Sequence, residues 1–298
     1  MSVLHLVLPD FLLIGLGWAL YHRLGFSREF FQNTERLVYF VLFPALLFHA
    51  IARAPLSLGG AATLFEATLA LLACGVAMAW LAVPVLRPDP IDHASTAQCA
   101  YRFNTYIGLS MAAALGGTAG QATMAVLAGF AVPFANVAAV HALARQRKGG
   151  MLGEVARNPF IIATVTGLAF NFLAIPVPAP LYTALGRLGE AAIVMGLLCV
   201  GAALSLSGGA QAAKLITWMV SVRLILNPIA AIFIGWIMHL PTLEREILLL
   251  FSALPASSSA HVLANRMGGN GRLTATVMSL GTLISALTIP LWLAIAPH

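Results

Sequence analysis

Apolar runs of about twenty residues recur along the whole chain, each closed by a short connection that is polar or carries Gly or Pro. A helix rises about 1.5 Å per residue, so about twenty apolar residues cross the roughly 30 Å hydrocarbon core of a bilayer. Ten spans fit, near 4–22, 36–53, 63–86, 97–116, 121–143, 158–176, 188–206, 214–238, 245–266 and 272–296. The strict alternation of a membrane β-barrel is absent. The pattern therefore predicts an all-α polytopic membrane protein with ten transmembrane helices. The longest clearly polar connections, 22–35 and 145–157, are too short for a soluble domain. One membrane domain is expected, made of residues 1–143, a connector at 144–157 and residues 158–298.

Two runs are interrupted. Tyr101–Gly117 (YRFNTYIGLSMAAALGG) and Leu254–Gly269 (LPASSSAHVLANRMGG) each carry a polar, helix-breaking knot and close on Gly-Gly. Unpaired polar groups cost several kcal/mol in hydrocarbon, so such segments belong where protein or a watery cavity surrounds them. The punctuation also repeats. Pro9 and Pro159 are offset by 150 residues, and Gly116-Gly117 and Gly268-Gly269 by 152, which sets span four against span nine. Five spans per half invert the second copy relative to the first, the expected architecture being two inverted five-helix repeats. Inverted repeats with discontinuous helices near the midplane characterise secondary transporters.

Composition agrees with a membrane class. Sixty percent of residues are hydrophobic, 9% are charged and the mean hydropathy is +0.92, against about one quarter charged in an average soluble domain. The net charge of +6 does not signal nucleic acid, because most basic residues sit in short loops. One side carries Arg23, Arg28, Arg36, Arg87, Arg145, Arg147, Lys148, Arg157, Lys214, Arg266 and Arg272, and the other Arg53, Arg187 and Arg245. The positive-inside rule puts the basic side in the cytoplasm and both termini outside, in a multi-pass protein of the inner (plasma) membrane. Cys74, Cys99 and Cys199 lie in apolar context without a CxxC pair and read as packing residues. The first apolar run lacks a basic leader and contains Pro9 and Asp10, so it reads as the first span and not as a cleaved signal.

The stretches YRFNTYIGLSMA in span four and LPASSSAHVLANRMG in span nine, with LVYFVLFPALLF in span two and VMGLLCVGAALS in span seven, resemble the auxin efflux carrier family. The most specific feature is Arg-x-Asn-Thr at 102–105, and the resemblance covers essentially the whole chain. It implies a crossover fold in which broken helices 4 and 9 cross, a scaffold moving against a transport unit, and organic-anion cargo that includes dicarboxylates such as malonate. The connector Arg145–Arg157 is short, as in prokaryotic-type members. A homodimer is implied by the resemblance alone.

Asn104 is the first candidate for cargo binding. Its amide N–H2 can donate to a carboxylate while its carbonyl caps a half-helix start, and the plain alternative is that it only caps. Thr105 and Tyr106 are supporting donors. In span nine Pro255 disrupts the helix, and Ser257, Ser258 and Ser259 either satisfy the freed backbone groups or bind cargo from the opposite side. Arg102 either snorkels to the interface or attracts an entering anion. Arg223 is expected to need a partner, with Glu66 of span three suggested. Asp10 reads as interfacial. His261 either packs or carries a proton, and packing is expected of His49 and His141. Neither knot contains Asp or Glu, which argues against an obvious sodium site. No cofactor is expected.

The leading expectation is a secondary carrier of small organic anions working by alternating access. The runner-up is a sodium-coupled, bile-acid-symporter-like carrier of the same layout. An intramembrane enzyme is disfavoured because GxSG with a paired histidine, HExxH and GxGD are all missing.

Overall fold

Residues 3–54, 58–144, 159–205, 212–257 and 259–295 are described by a computed structural model, and all the regular structure among them is helical. Helix α1 (Val3–His22) is followed by α2 (Arg28–Leu37), whose N-cap Ser27 accepts the Phe30 N–H at 3.1 Å. A π-helical turn, Val38–Leu42, joins α2 to α3 (Phe43–Ala52). Pro44 explains that turn. It has no N–H to give back to residue 40, and Phe43 instead reaches back five residues to the Val38 carbonyl. Helix α4 (Leu58–Trp80) and the short α5 (Ala82–Leu86) precede α6 (Pro90–Thr96), α7 (Gln98–Tyr101) and α8 (Thr105–Ala144). In the second half come α9 (Pro159–Phe172), α10 (Ala179–Ala202) and α11 (Ala213–Ser221). A second π-helical turn, Val222–Leu226, leads to α12 (Asn227–Ile237), then α13 (Thr242–Ala253), α14 (Ser259–Arg266) and α15 (Gly271–Ile295).

Among the described residues, six helical stretches are long and apolar enough to cross a membrane: Arg28–Ala52, Gly59–Leu86, Pro90–Leu143, Ala179–Ala202, Ala213–Ile237 and Gly271–Ile295. The third has 54 residues, about 80 Å if straight, more than twice a hydrocarbon core. It is not straight. Gly116 and Gly117 leave helical geometry, and Gly117 has φ 58°, which a residue with Cβ adopts only with strain. Gly268, with φ 72°, turns the chain between α14 and α15 in the same left-handed region.

The helices form two groups. Helices α1, α2, α3, α9 and α10 pack on one another, and α4, α7, α8 and α11–α15 form the second group. Helices α8 and α15 of the second group also meet the first. Without a hydrophobic drive between helices in lipid, small residues permit close packing. A Cβ on Gly17 would strike the Leu198 backbone, and one on Gly201 would strike that of Ile14 and Trp18, so α1 and α10 touch backbone to backbone. Ala125, Ala128, Ala131, Ala135 and Ala139 give α8 a buried small-residue face.

Two expected boundaries shift. Residues 28–35, read as connection, are the amphipathic start of α2, with Phe31 buried. Helix α10 starts at Ala179 and not near 188, because Pro178 sets an extended entry and a run of helix formers follows. The expected connector lies almost wholly outside the described residues, at 145–158.

Candidate functional site where two helix breaks meet

Helix α7 ends at Arg102, whose φ of −83° and ψ of 139° are extended. The chain re-enters helix at Thr105 because Asn104 caps it. The Asn104 Oδ1 accepts from the N–H groups of Tyr106 (3.1 Å) and Ile107 (3.3 Å), two donors that no helical carbonyl can reach. On the other side, α13 stops at Ala253 and Leu254 is extended, with φ −60° and ψ 144°. The ring of Pro255 pushes the residue before it out of the α region. The two breaks touch: the Asn104 N–H donates to the Pro255 carbonyl at 2.9 Å.

Both truncated helix ends are capped from the second π-helical turn. Arg223, 4% exposed, donates from Nε to the Leu254 carbonyl and from Nη2 to the Phe251 carbonyl at 2.8 Å. A guanidinium there satisfies orphan carbonyls and complements the negative end of the α13 dipole. One turn on, the Asn227 Nδ2 donates to the Ala100 carbonyl at 2.8 Å, at the end of α7. The turn itself arises from Pro228, which cannot donate to the Leu224 carbonyl; the Trp292 indole N–H takes that carbonyl at 2.8 Å.

What remains is asymmetric. Asn104 is 2% exposed, and its Nδ2 has no hydrogen-bond partner among the described residues. The amide orientation is fixed by its neighbours, since the helix N–H groups need the oxygen. Where the breaks touch, the junction presents one buried guanidinium and one unpaired amide donor; behind the first break, the Asn227 Oδ1 and the Tyr101 hydroxyl are also buried without hydrogen-bond partners among the described residues. The carbonyls of Ala100, Phe251, Leu254 and Pro255 are all in use.

The other expected site residues are placed as follows. Thr105 and Tyr106 are half-buried beside Asn104. The Tyr106 ring meets Phe43 edge-on at 5.1 Å, which brings the first helix group to the break. Pro255 is buried and Ser257 half-buried. Ser258 and the Ser259 side chain lie outside the described residues. Half-buried Arg102 donates to the Gln98 Oε1 at 2.7 Å, one turn back. His261 is half-buried on α14, His141 is exposed, and His49 stacks on Tyr182 at 4.1 Å.

Two expectations are overturned. The pairing of Arg223 with Glu66 is replaced by the two α13 carbonyls, and Glu66 points outward, exposed. Asp10 does not stand at an exposed helix start. It is 4% exposed, and its Oδ1 accepts from the Ser110 hydroxyl of α8 at 2.6 Å. Its position one residue after Pro9 suggested a helix start, but α1 runs through both. A lone Asp in an otherwise apolar run was the available signal.

A multi-pass helical membrane protein whose broken helices meet at a buried polar junction has the build of a membrane transporter. Residues 148–293 match the family model described as Membrane transport protein. Over 305 aligned residues the chain is 26% identical to a protein of Rhizobium meliloti (strain 1021) named "Putative malonate transporter", covering 95% of this chain and 92% of the relative. Both findings agree with the resemblance to the auxin efflux carrier family and support a membrane transporter.

Proposed function

We propose that the protein is a secondary carrier of small organic anions, carboxylates and dicarboxylates such as malonate, working by alternating access with cargo held where helices 4 and 9 cross. Here α6–α7 with the start of α8 form broken helix 4, and α13–α14 form broken helix 9, in two inverted five-helix repeats. The observation that carries this reading is the unpaired, buried Asn104 Nδ2 at the contact between the breaks. An anion supplies the acceptor it lacks, the fixed charge of Arg223 lies one break away, and the backbone carbonyls of Ala100, Phe251, Leu254 and Pro255 are already occupied. Thr105, Tyr106 and Ser257 flank the cargo, and Pro255 shapes its seat. The orientation with both termini outside and a homodimeric assembly extend the same reading.

Hydrogen bonds to charged groups contribute about 1.5–3 kcal/mol, so Asn104→Ala should weaken malonate binding about 10- to 150-fold. Titration of labelled malonate into purified protein measures this, with thermal unfolding as the check on folding. Undiminished affinity removes Asn104 from the site. Uptake into proteoliposomes with and without sodium sorts the coupling, and strictly sodium-dependent flux would promote the bile-acid-symporter-like reading.

A further inference from the structure

The polar pair Asp10–Ser110 lies apart from the junction, and the cargo reading does not use it. Asp10 stands on α1, which packs chiefly on α10 in the first helix group. Ser110 stands on α8, in the second group, six residues beyond Asn104 and so about 9 Å further along the helix. The 2.6 Å bond between them therefore ties the cargo-bearing half-helix to the other group. The Asp10 Oδ2 is buried and has no hydrogen-bond partner among the described residues.

A carboxylate so placed is costly. An ionised Asp at the centre of a membrane helix costs about 2.5–3.5 kcal/mol on insertion scales, and one hydroxyl donor offsets only part of that. Helices α8, α10 and α15 pack on α1. Their titratable side chains are Tyr106 and His141 on α8, Tyr182, Arg187, Glu190 and Cys199 on α10, and Arg272 on α15. None of these forms an ion pair with Asp10 among the described residues; the side-chain contact to its carboxyl is from Ser110. Uptake of a proton is the simplest way to remove the charge.

We propose that Asp10 is the proton-coupling residue of this carrier, binding one proton while it holds Ser110 across the two helix groups and releasing it when the groups separate. The inference rests on the carrier reading above. In the closed arrangement the carboxylic acid keeps the Ser110 bond without a buried charge. When α8 slides relative to α1, the pair parts, water reaches the carboxyl, and the proton leaves to the side then open. The proton moves with the anion, one per cycle, and no other group changes charge.

The test uses the full chain in proteoliposomes with labelled malonate. Counterflow at equal pH on both sides reads the carrier function alone, and accumulation driven by an inward proton gradient reads coupling. Asp10→Asn should keep counterflow within about twofold, since the amide preserves shape and still accepts from Ser110, and should lose gradient-driven accumulation entirely. Gradient-driven accumulation by Asp10→Asn equal to that of the unaltered protein overturns the proposal. So does an unaltered protein that counterflows malonate yet accumulates none. A second readout is independent of cargo: an infrared band of a protonated carboxyl in the purified protein at neutral pH, missing in Asp10→Asn. That band without any malonate counterflow would sink the carrier reading and leave Asp10 a proton site. A spectrum in which Asp10→Asn removes no such band overturns the proton site itself.

Discussion

The break between α7 and α8 is held by a side chain, and the break between α13 and α14 is held by a ring. At the first, the Asn104 amide spends its oxygen on two helix N–H groups and keeps its nitrogen free. At the second, Pro255 forces Leu254 to be extended, and the Phe251, Leu254 and Pro255 carbonyls are taken, by Arg223 or by the Asn104 N–H. One break offers a donor, and three backbone acceptors of the other are consumed. The Asn227 Oδ1 and the Tyr101 hydroxyl, behind the first break, are also buried without partners among the described residues, so the contrast belongs to the face where the breaks touch, and that face suits cargo that brings its own acceptors.

The largest effect is expected at the side chain that holds the second break. Arg223→Met leaves the Phe251 and Leu254 carbonyls buried without donors, at about 1–3 kcal/mol each in soluble proteins and less in membranes, so a loss of about 2–4 kcal/mol is expected. Thermal unfolding in detergent measures it. A variant as stable as the parent would show that the ends of α13 need no cap. The next effect separates the breaks directly. Pro255→Ala should lower stability by about 0.4–1 kcal/mol through the unfolded chain and shift malonate affinity by less than about threefold. Asn104→Ala should do the reverse, with a modest cap loss of about 0.5–2 kcal/mol and the large affinity loss given above. Equal affinity losses in both variants would erase the distinction drawn between donor and scaffold.

Much of this was legible in the sequence, and for definite reasons. Pro255 announced its break because a ring constrains the residue before it wherever it stands. The Gly116-Gly117 and Gly268-Gly269 pairs marked turns that need φ above zero at Gly117 and Gly268. Asn104 as a cap followed from its place before an apolar run. The partners of Arg223 were not legible. Its charge called for a counter-charge, but the groups that meet it are backbone carbonyls, present in every residue and invisible in a pattern of side chains. Asp10 was misplaced for a related reason: nothing in the sequence links it to Ser110, one hundred positions away. The helix at 179–187 was missed because hydropathy marks the width of the bilayer and not the length of a helix.

The smallest effect concerns how the second break is supported from behind. The π-helical turn that carries Arg223 exists because Pro228 gives up its bond to the Leu224 carbonyl, and Trp292 supplies the replacement donor. Trp292→Phe keeps most of the ring and removes the N–H, so a loss of about 0.6 kcal/mol, the average for interhelical bonds in membranes, is expected. In a Pro228→Ala background the restored Ala N–H can reach the Leu224 carbonyl itself, and the same Trp292→Phe change should then cost nothing measurable. Thermal unfolding of the two single variants and the double variant gives the coupling directly. If Trp292→Phe costs the same in both backgrounds, the indole is a packing group, and the turn that positions Arg223 is stabilised by something other than that bond.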